Sequence, residues 1–230
     1  MQRRATKCLF FISGYNKKKK NWLKSFITIL NNEQKKFGLF LGGGDTIRSG
    51  KNSISFSVIG HTEQPVLRNG AKNNDDIYVT RNLGDSYIGL QIIKKKINLR
   101  KHNNFYKSAY YKPNLPYVFS KYLKKVATSS TDISDGLMRD LKNICISSKC
   151  GALVDFASIP FSKKTSLLAI KKKFRLLEVF SHGDDYQIIF TSNKKNRRII
   201  EKISLSTKTR ISRIGRIVKG RDVKLNKNGV

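Results

Sequence analysis

Acidic side chains are what this sequence has least of. Only 15 of its 230 residues are Asp or Glu against 47 Lys and Arg, a formal net charge of +32. Such an excess normally marks a protein for a polyanion or an acidic membrane face. Here the lysines stand in scattered runs, "NKKKKN", "IIKKKINLRKHNN", "AIKKKFR" and "NKKNRR", with no fixed period and no stripe along one helix face. Lys, Asn and Ile rise together, as a compositional bias would make them. The expectation is therefore no specific nucleic-acid partner, only salt-sensitive, nonspecific adhesion. Cysteine is scarce too: Cys8, Cys145 and Cys150 form no C-x-x-C pair and have no His at ligand spacing, which excludes a zinc or iron–sulfur site and points to a reducing compartment. His61, His102 and His182 lie far apart and read as structural or solvent-facing. No apolar run approaches the ~18 to 20 residues of a membrane helix, and "CLFFI" is too short for a secretory signal. A cytoplasmic protein without a membrane partner is expected.

What is present alternates between apolar strands and amphipathic helices. "KCLFFIS" reads as a buried strand, and Trp22, Leu23, Phe26, Ile27 and Leu30 recur at helical steps up to a stop at Gly38. "LFLGGGDT" reads as a strand entering a triple-glycine turn, followed by strands at "SISFSVIGH" and "DDIYVT" and a helix from "GDSYIGLQII". Between residues 94 and 118 the pattern dissolves into Lys, Asn and Tyr, predicting a surface excursion. Beyond it come helices at "DGLMRDLKNICISSK", "TSLLAIKKKF" and "KKNRRIIEKIS", with strands at "GALVDFA", "DYQIIFT" and "RISRIGRIV". That alternation implies an α+β or α/β layered fold.

The few acids are placed unevenly. Eleven of the 15 are Asp, and they gather beside glycine turns: Asp45 after "GGG", Asp85 after Gly84, Asp184 and Asp185 after Gly183, and Asp132, Asp135 and Asp140 in "TDISDGLMRDL". Carboxylates on such loops suit Mg²⁺ held against phosphates, because Mg²⁺ takes one or two carboxylates and leaves its other positions to water and phosphate oxygens. Leu137, Leu141 and Ile144 share a helical face, so a helix starts near Ser134 or Asp135 with its amides and positive dipole end aimed at whatever precedes it. Asp132 and Asp135 flank that start and are spaced to share a metal-bearing pocket, whereas Asp140, one turn on, faces elsewhere. A plainer reading makes Asp135 an N-cap, and a lone Arg68 is one basic residue among 47.

Taken in order, "LGGGDT", "LRNGAKNNDDIYVT", "LGDSYIGL", "TDISDGL" and "SHGDDYQIIF" resemble the thiamine-monophosphate kinases. These belong to a superfamily of ATP-using enzymes that includes aminoimidazole ribonucleotide (AIR) synthetase and selenophosphate synthetase. The resemblance spans about residues 1 to 225. It implies an α+β, AIR synthase-like (PurM-like) two-domain architecture with mixed sheets covered by helices: residues 1–66 a remnant of the N-terminal ATP- and Mg²⁺-binding domain, residues 67–230 the C-terminal domain. The implied reaction moves the γ-phosphoryl group of ATP onto thiamine monophosphate with Mg²⁺ ions. By motif, Gly44 and Asp45 match the ATP- and Mg²⁺-binding Gly-Asp, and Arg68 matches the nucleotide-phosphate arginine. Asp132 and Asp135 match magnesium carboxylates and Ser134 an ATP contact. Arg68 and Asp135 are thereby the candidate catalytic residues. Asp184 stands where the family usually has Glu at the thiamine-phosphate site. A homodimer formed through the N-terminal domain is implied as well. Two departures are expected from the same comparison: upstream Asp-rich segments are missing before "MQRRATKCLFFISGY", and the chain stops before the usual Gly-aromatic tail. The competing readings are a degenerate remnant that binds nucleotide or nucleic acid through its basic surface, and a sister phosphotransferase with another acceptor.

Overall fold

The computed structural model describes residues 6–15, 20–171 and 175–226, and the chain divides into two compact units, residues 1–64 and 65–230. In the first, β1 (Thr6–Tyr15), α1 (Lys20–Phe37) and β2 (Leu39–Arg48) form a parallel β-α-β crossover, and β3 (Ser55–Ile59) adds antiparallel to the other edge of β1. The expected glycine turn is absent. Gly42, Gly43 and Gly44 lie inside β2, and pairing with β1 steps from Cys8↔Leu41 to Leu9↔Gly43, so one glycine is taken up as a bulge. Asp45 consequently lies within the strand, opposite Phe11, rather than on a loop. Glycine permits the turn, but the β1 backbone alongside offers a full ladder of hydrogen bonds, and that non-local pairing wins.

The second unit is built on a six-stranded mixed sheet. Its strands are β4 (Asp76–Thr80), β5 (Ser129–Ile133), β6 (Gly151–Asp155), β7 (Gln187–Ser192), β8 (Ile211–Val218) and β9 (Val223–Asn226). They run in the order β5-β7-β4-β8-β6-β9, antiparallel except for β6 with β9. β4 is buried at all five positions because both faces of the sheet are covered. Its alternation sorts the two cores. Ile77 and Val79 pack with Leu137, Leu141 and Ile144 of α6 (Leu137–Ser148) and Phe180 of α8 (Leu176–Ser181). Tyr78 points to the opposite face, where it stacks on Phe190 at 5.2 Å among Phe119, Val126, Ile200 and Ile203. That face is roofed by α4 (Tyr117–Ser120), α5 (Leu123–Val126) and α9 (Arg197–Ser206).

The segment expected to be a surface excursion is largely exposed as read, but it holds a helix anchored to the core by one side chain. α3 (Asn103–Tyr111) packs on α2 (Asp85–Ile93), with Tyr106 fully buried beside Ile88, Ile92, Val179 and Leu168 of α7 (Lys163–Ile170). One buried aromatic anchored by a Tyr106–Thr165 hydroxyl contact of 3.2 Å outweighs a Lys- and Asn-rich surround. The polar β5 and the short α8 and β9 also gave no periodic signal in the sequence.

Part of the basic excess is structural. Arg197 donates to the fully buried Asp76 from Nε at 2.7 Å and Nη2 at 2.9 Å, and Arg213 adds a contact of 3.4 Å. Burial alone would raise the Asp76 carboxyl, but the two arginines hold it below the usual carboxylate range. No helix among the described residues is long and apolar enough to cross a membrane.

Candidate functional site

The site is assembled where β5 turns into α6. The turn spans Ser134, Asp135 and Gly136, the last with φ +121°, a conformation that only glycine adopts readily. The amides of Ser134, Asp135 and Gly136 all donate to Asp140 Oδ2, at 3.1, 3.0 and 3.1 Å. This corrects two expectations. The helix begins at Leu137 rather than near Ser134 or Asp135, and the amides of the turn before it are occupied by Asp140, which folds back instead of facing away. Asp135 is not the cap. An acid in the first helical turn was the available signal for Asp140, one that the sequence reading passed over. Burial keeps the Asp140 carboxyl above its ordinary range despite three donors.

Because Asp140 fills the inside of the turn, Asp132 and Asp135 are left exposed on its outer side. Asp135 has only a loose 3.9 Å approach to Arg139, and both side chains are more than half exposed. Such a pair contributes little. Arg68 reaches the same place from another part of the chain: its Nε donates to Thr131 Oγ1 at 3.2 Å, and Thr131 Oγ1 donates to Asp132 Oδ1 at 3.4 Å. Ser148, also missed in the sequence, pins that loop. Its hydroxyl donates to the Arg68 carbonyl at 2.9 Å and accepts from the amides of Gly70 and Ala71.

The distant "HGDDY" motif closes over the turn. The Asp184 amide donates to the Ser134 carbonyl at 3.0 Å and the Tyr186 amide to the Ile133 carbonyl at 2.9 Å. The approach is so close that a Cβ on Gly183 would stand 1.7 Å from the Ser134 oxygen. Asp184 and Tyr186 both hold left-handed backbone, φ +67° and +49°, a strained conformation of the kind concentrated at functional sites. Exposed Tyr186 feels partial burial and the charges of Asp184 and Asp132, which raise its phenol. Arg68, Asp132, Ser134, Asp135 and Asp184 are thus brought to one corner of the second unit. Gly44 and Asp45 belong to the first unit, where Asp45 Oδ1 accepts from the Thr46 amide at 2.7 Å. Among the described residues no three His, Cys, Asp or Glu side chains converge as a ready-made metal cage.

Asp185 turns inward from the same loop. It is 4% exposed, its Oδ2 accepts from the Gly84 amide at 2.8 Å, and burial, with Asp85 adding to it, pushes it up to about 7. A carboxyl whose folded value lies above its unfolded ~3.9 binds more protons when folded, so the stability it supports is complete below about pH 4 and is lost as pH rises through about 7. Urea midpoints are expected to fall between pH 5 and 8, by an amount worth on the order of a few kcal/mol. Asp185→Asn should flatten that slope; a wild-type midpoint independent of pH over this window would contradict it.

Fold and sequence together place the chain in a family. It belongs to the AIR synthase related proteins: the family model described as AIR synthase related protein, C-terminal domain, matches residues 72–228. Within that class it is similar to the thiamine-monophosphate kinase of Buchnera aphidicola from Schizaphis graminum, 39% identical over 201 residues, which cover 84% of this chain and 58% of that protein. It is also similar to the crystal structure of thiamine-monophosphate kinase from Stenotrophomonas maltophilia, with a TM-score of 0.86 at 26% identity over 97% of this chain and 72% of the other. The structure of AaThiL complexed with AMPPCP and TMP shares the fold, with a TM-score of 0.84 at 23% identity over 97% of this chain and 71% of that one. The chain spans 58% of the Buchnera relative's length.

Proposed function

We propose that this chain takes part in the ATP-dependent phosphorylation of thiamine monophosphate to thiamine diphosphate, in the cytoplasm, by Mg²⁺-assisted in-line transfer. The observation that carries the reading is the docking of the Gly183–Tyr186 loop onto the Ile133–Gly136 turn, because it puts the candidate metal carboxylates, Ser134 and the candidate substrate residue Asp184 on one surface beside Arg68. The similarity to thiamine-monophosphate kinases supports the choice of acceptor.

The donor set fits Mg²⁺. Asp132 and Asp135 offer exposed carboxylate oxygens, and two such ligands are about what a phosphate-bound Mg²⁺ takes from protein. Asp132 and Asp135 would hold the metal. When bound it neutralises charge between two anionic reactants. The acceptor is an already ionised phosphate oxygen, so no strong general base is needed. Arg68, held by Thr131, is placed to draw the nucleotide phosphates and to stabilise charge that builds during transfer. Ser134 would contact the nucleotide. Asp184, one methylene shorter than Glu, reaches toward the substrate from a strained backbone that fixes its direction. A homodimer through the first unit accompanies this proposal, supported by the roughly half-exposed Phe40, Phe56, Val58 and Ile59.

The test is thermal stabilisation by ATP, Mg²⁺ and thiamine monophosphate, read together with ADP release. Ligands at roughly 100 times their Kd should stabilise the wild type by about 2.7 kcal/mol, dependent on Mg²⁺. Asp132→Asn should remove the Mg²⁺-dependent part and lower any turnover by at least about 100-fold. Stabilisation that any polyanion reproduces, that falls steeply with salt and that ignores Asp132→Asn would replace the kinase reading with simple adsorption to a basic surface.

A further inference from the structure

The second unit contains a cleft of about 410 Å³ that the proposed reaction does not use. It opens where the chain leaves β4, and is lined by Arg81, Asp85, Phe105, Lys112, Asn114 and Asp185 among others. Its volume falls in the range of small-molecule pockets, about 300 to 1,000 Å³.

Two independent costs fall on Arg81, the burial of its side chain and the strain of its backbone. Its Nε is buried with no hydrogen-bond partner among the described residues. Burial lowers its guanidinium below the ordinary value. Its backbone sits at φ +52°, a left-handed conformation for a side chain that gains nothing local from it. An unsatisfied buried donor costs about 1 to 3 kcal/mol, more when the group is charged, so such a group normally has a partner for which it is kept. The wall opposite does not supply one. Asp85 Oδ1 is engaged by the hydroxyls of Ser162 at 2.8 Å and Thr165 at 2.6 Å, and Asp185 Oδ2 by the Gly84 amide at 2.8 Å. Neither makes an ion pair with Arg81. Two further cations stand at the margin: Lys112 in the lining, and Lys164, whose Nζ lies 4.2 Å above the Phe105 ring.

We propose that this cleft is a second binding site, for a compact planar molecule bearing a carboxylate or phosphate, which the Arg81 fork grips while the body lies against Phe105. The fork geometry favours a planar two-oxygen group over a point charge, and the amide of Asn114 offers a neutral polar contact at the rim. The cleft lining includes neither Arg68 nor any of Asp132, Ser134, Asp135 and Asp184, although Asp185 in it directly follows Asp184, and the inference does not depend on the kinase reading.

Isothermal titration at physiological salt with two probes, benzoate and phenyl phosphate, tests this on the full chain. Each is compared on wild type, Arg81→Lys and Arg68→Lys, all three carrying the same net charge, so general adsorption to the basic surface is constant. Arg81→Lys should weaken the bound probe by about tenfold or more, the expected loss of one bidentate charge-assisted contact, while Arg68→Lys leaves it unchanged. The arginine Nε–H resonance of Arg81 should shift on addition of the same probe. Which probe binds decides between carboxylate and phosphate as the recognised group. No saturable binding of either probe up to about 10 mM, or equal binding by wild type and Arg81→Lys, overturns the site. Loss in Arg68→Lys alone assigns the binding to the other corner and also overturns it.

Discussion

Gly183→Ala is expected to unfold the corner that unites the two acidic motifs. A Cβ there would stand 1.7 Å from the Ser134 carbonyl oxygen, 2.4 Å from its carbon and 2.9 Å from Asp135 Cα. All three are backbone atoms, so no side-chain rotation relieves the clash. The loop must lift, and with it go the Asp184 N–H to Ser134 and Tyr186 N–H to Ile133 hydrogen bonds. Two lost hydrogen bonds plus overpacking sum to roughly 3 to 4 kcal/mol, or about 10 °C in Tm for a body of this size. The Mg²⁺-dependent response to nucleotide and thiamine monophosphate should vanish at temperatures where the variant is still folded, because the loop carrying Asp184 is no longer held on the Ile133–Gly136 turn. Circular dichroism melts with and without ligands decide the matter. A variant that melts within about 2 °C of wild type would show that the loop contact is not as tight as described.

Asp140→Ala carries the next largest effect, and it shows which aspartate holds the turn before α6. Its carboxylate accepts from three consecutive amides, so its removal leaves three donors unpaired at a partly buried turn. Against this stands relief of a carboxyl that burial disfavours. The balance is a loss of roughly 2 to 3 kcal/mol, with Asp140→Asn retaining an acceptor and costing less. Asp135→Ala, by contrast, removes an exposed side chain with one loose ion pair and should cost under about 0.5 kcal/mol. Urea unfolding of the three variants gives the order directly. Equal losses for Asp135→Ala and Asp140→Ala would contradict the assignment of the turn's support to Asp140.

These two positions also show where sequence reasoning succeeded and stopped. Asp132, Asp135 and Asp184 were legible because acids gathered near glycine turns stand out in a chain with so few of them, whereas Arg68 and Ser134 were singled out by the resemblance to thiamine-monophosphate kinases alone. The supports were not. Ser148 and Asp140 act through contacts to backbone atoms, which impose no composition on the sequence around them. Asp184 and Asp185 are adjacent and chemically identical, yet one is partly exposed beside Ser134 and the other is buried against the Gly84 amide. Only the path of the chain, bent by left-handed residues on either side of Asp185, assigns them. Arg81 was invisible for a related reason: in a chain with 47 basic residues, a guanidinium lacking a partner is recognised by its surroundings alone.

By itself the sequence determined the α+β alternation, the amphipathic faces of α6 and α9, and the set of acids worth inspecting, since these follow from residue chemistry repeated at short, regular spacing. Tertiary structure decided that Gly42 to Gly44 would be strand, that Tyr106 would anchor an otherwise exposed Lys-rich segment to the core, and which aspartates are structural. In each of those cases the deciding hydrogen bond or buried contact comes from a partner far away in the chain, and local preference is too weak to oppose it.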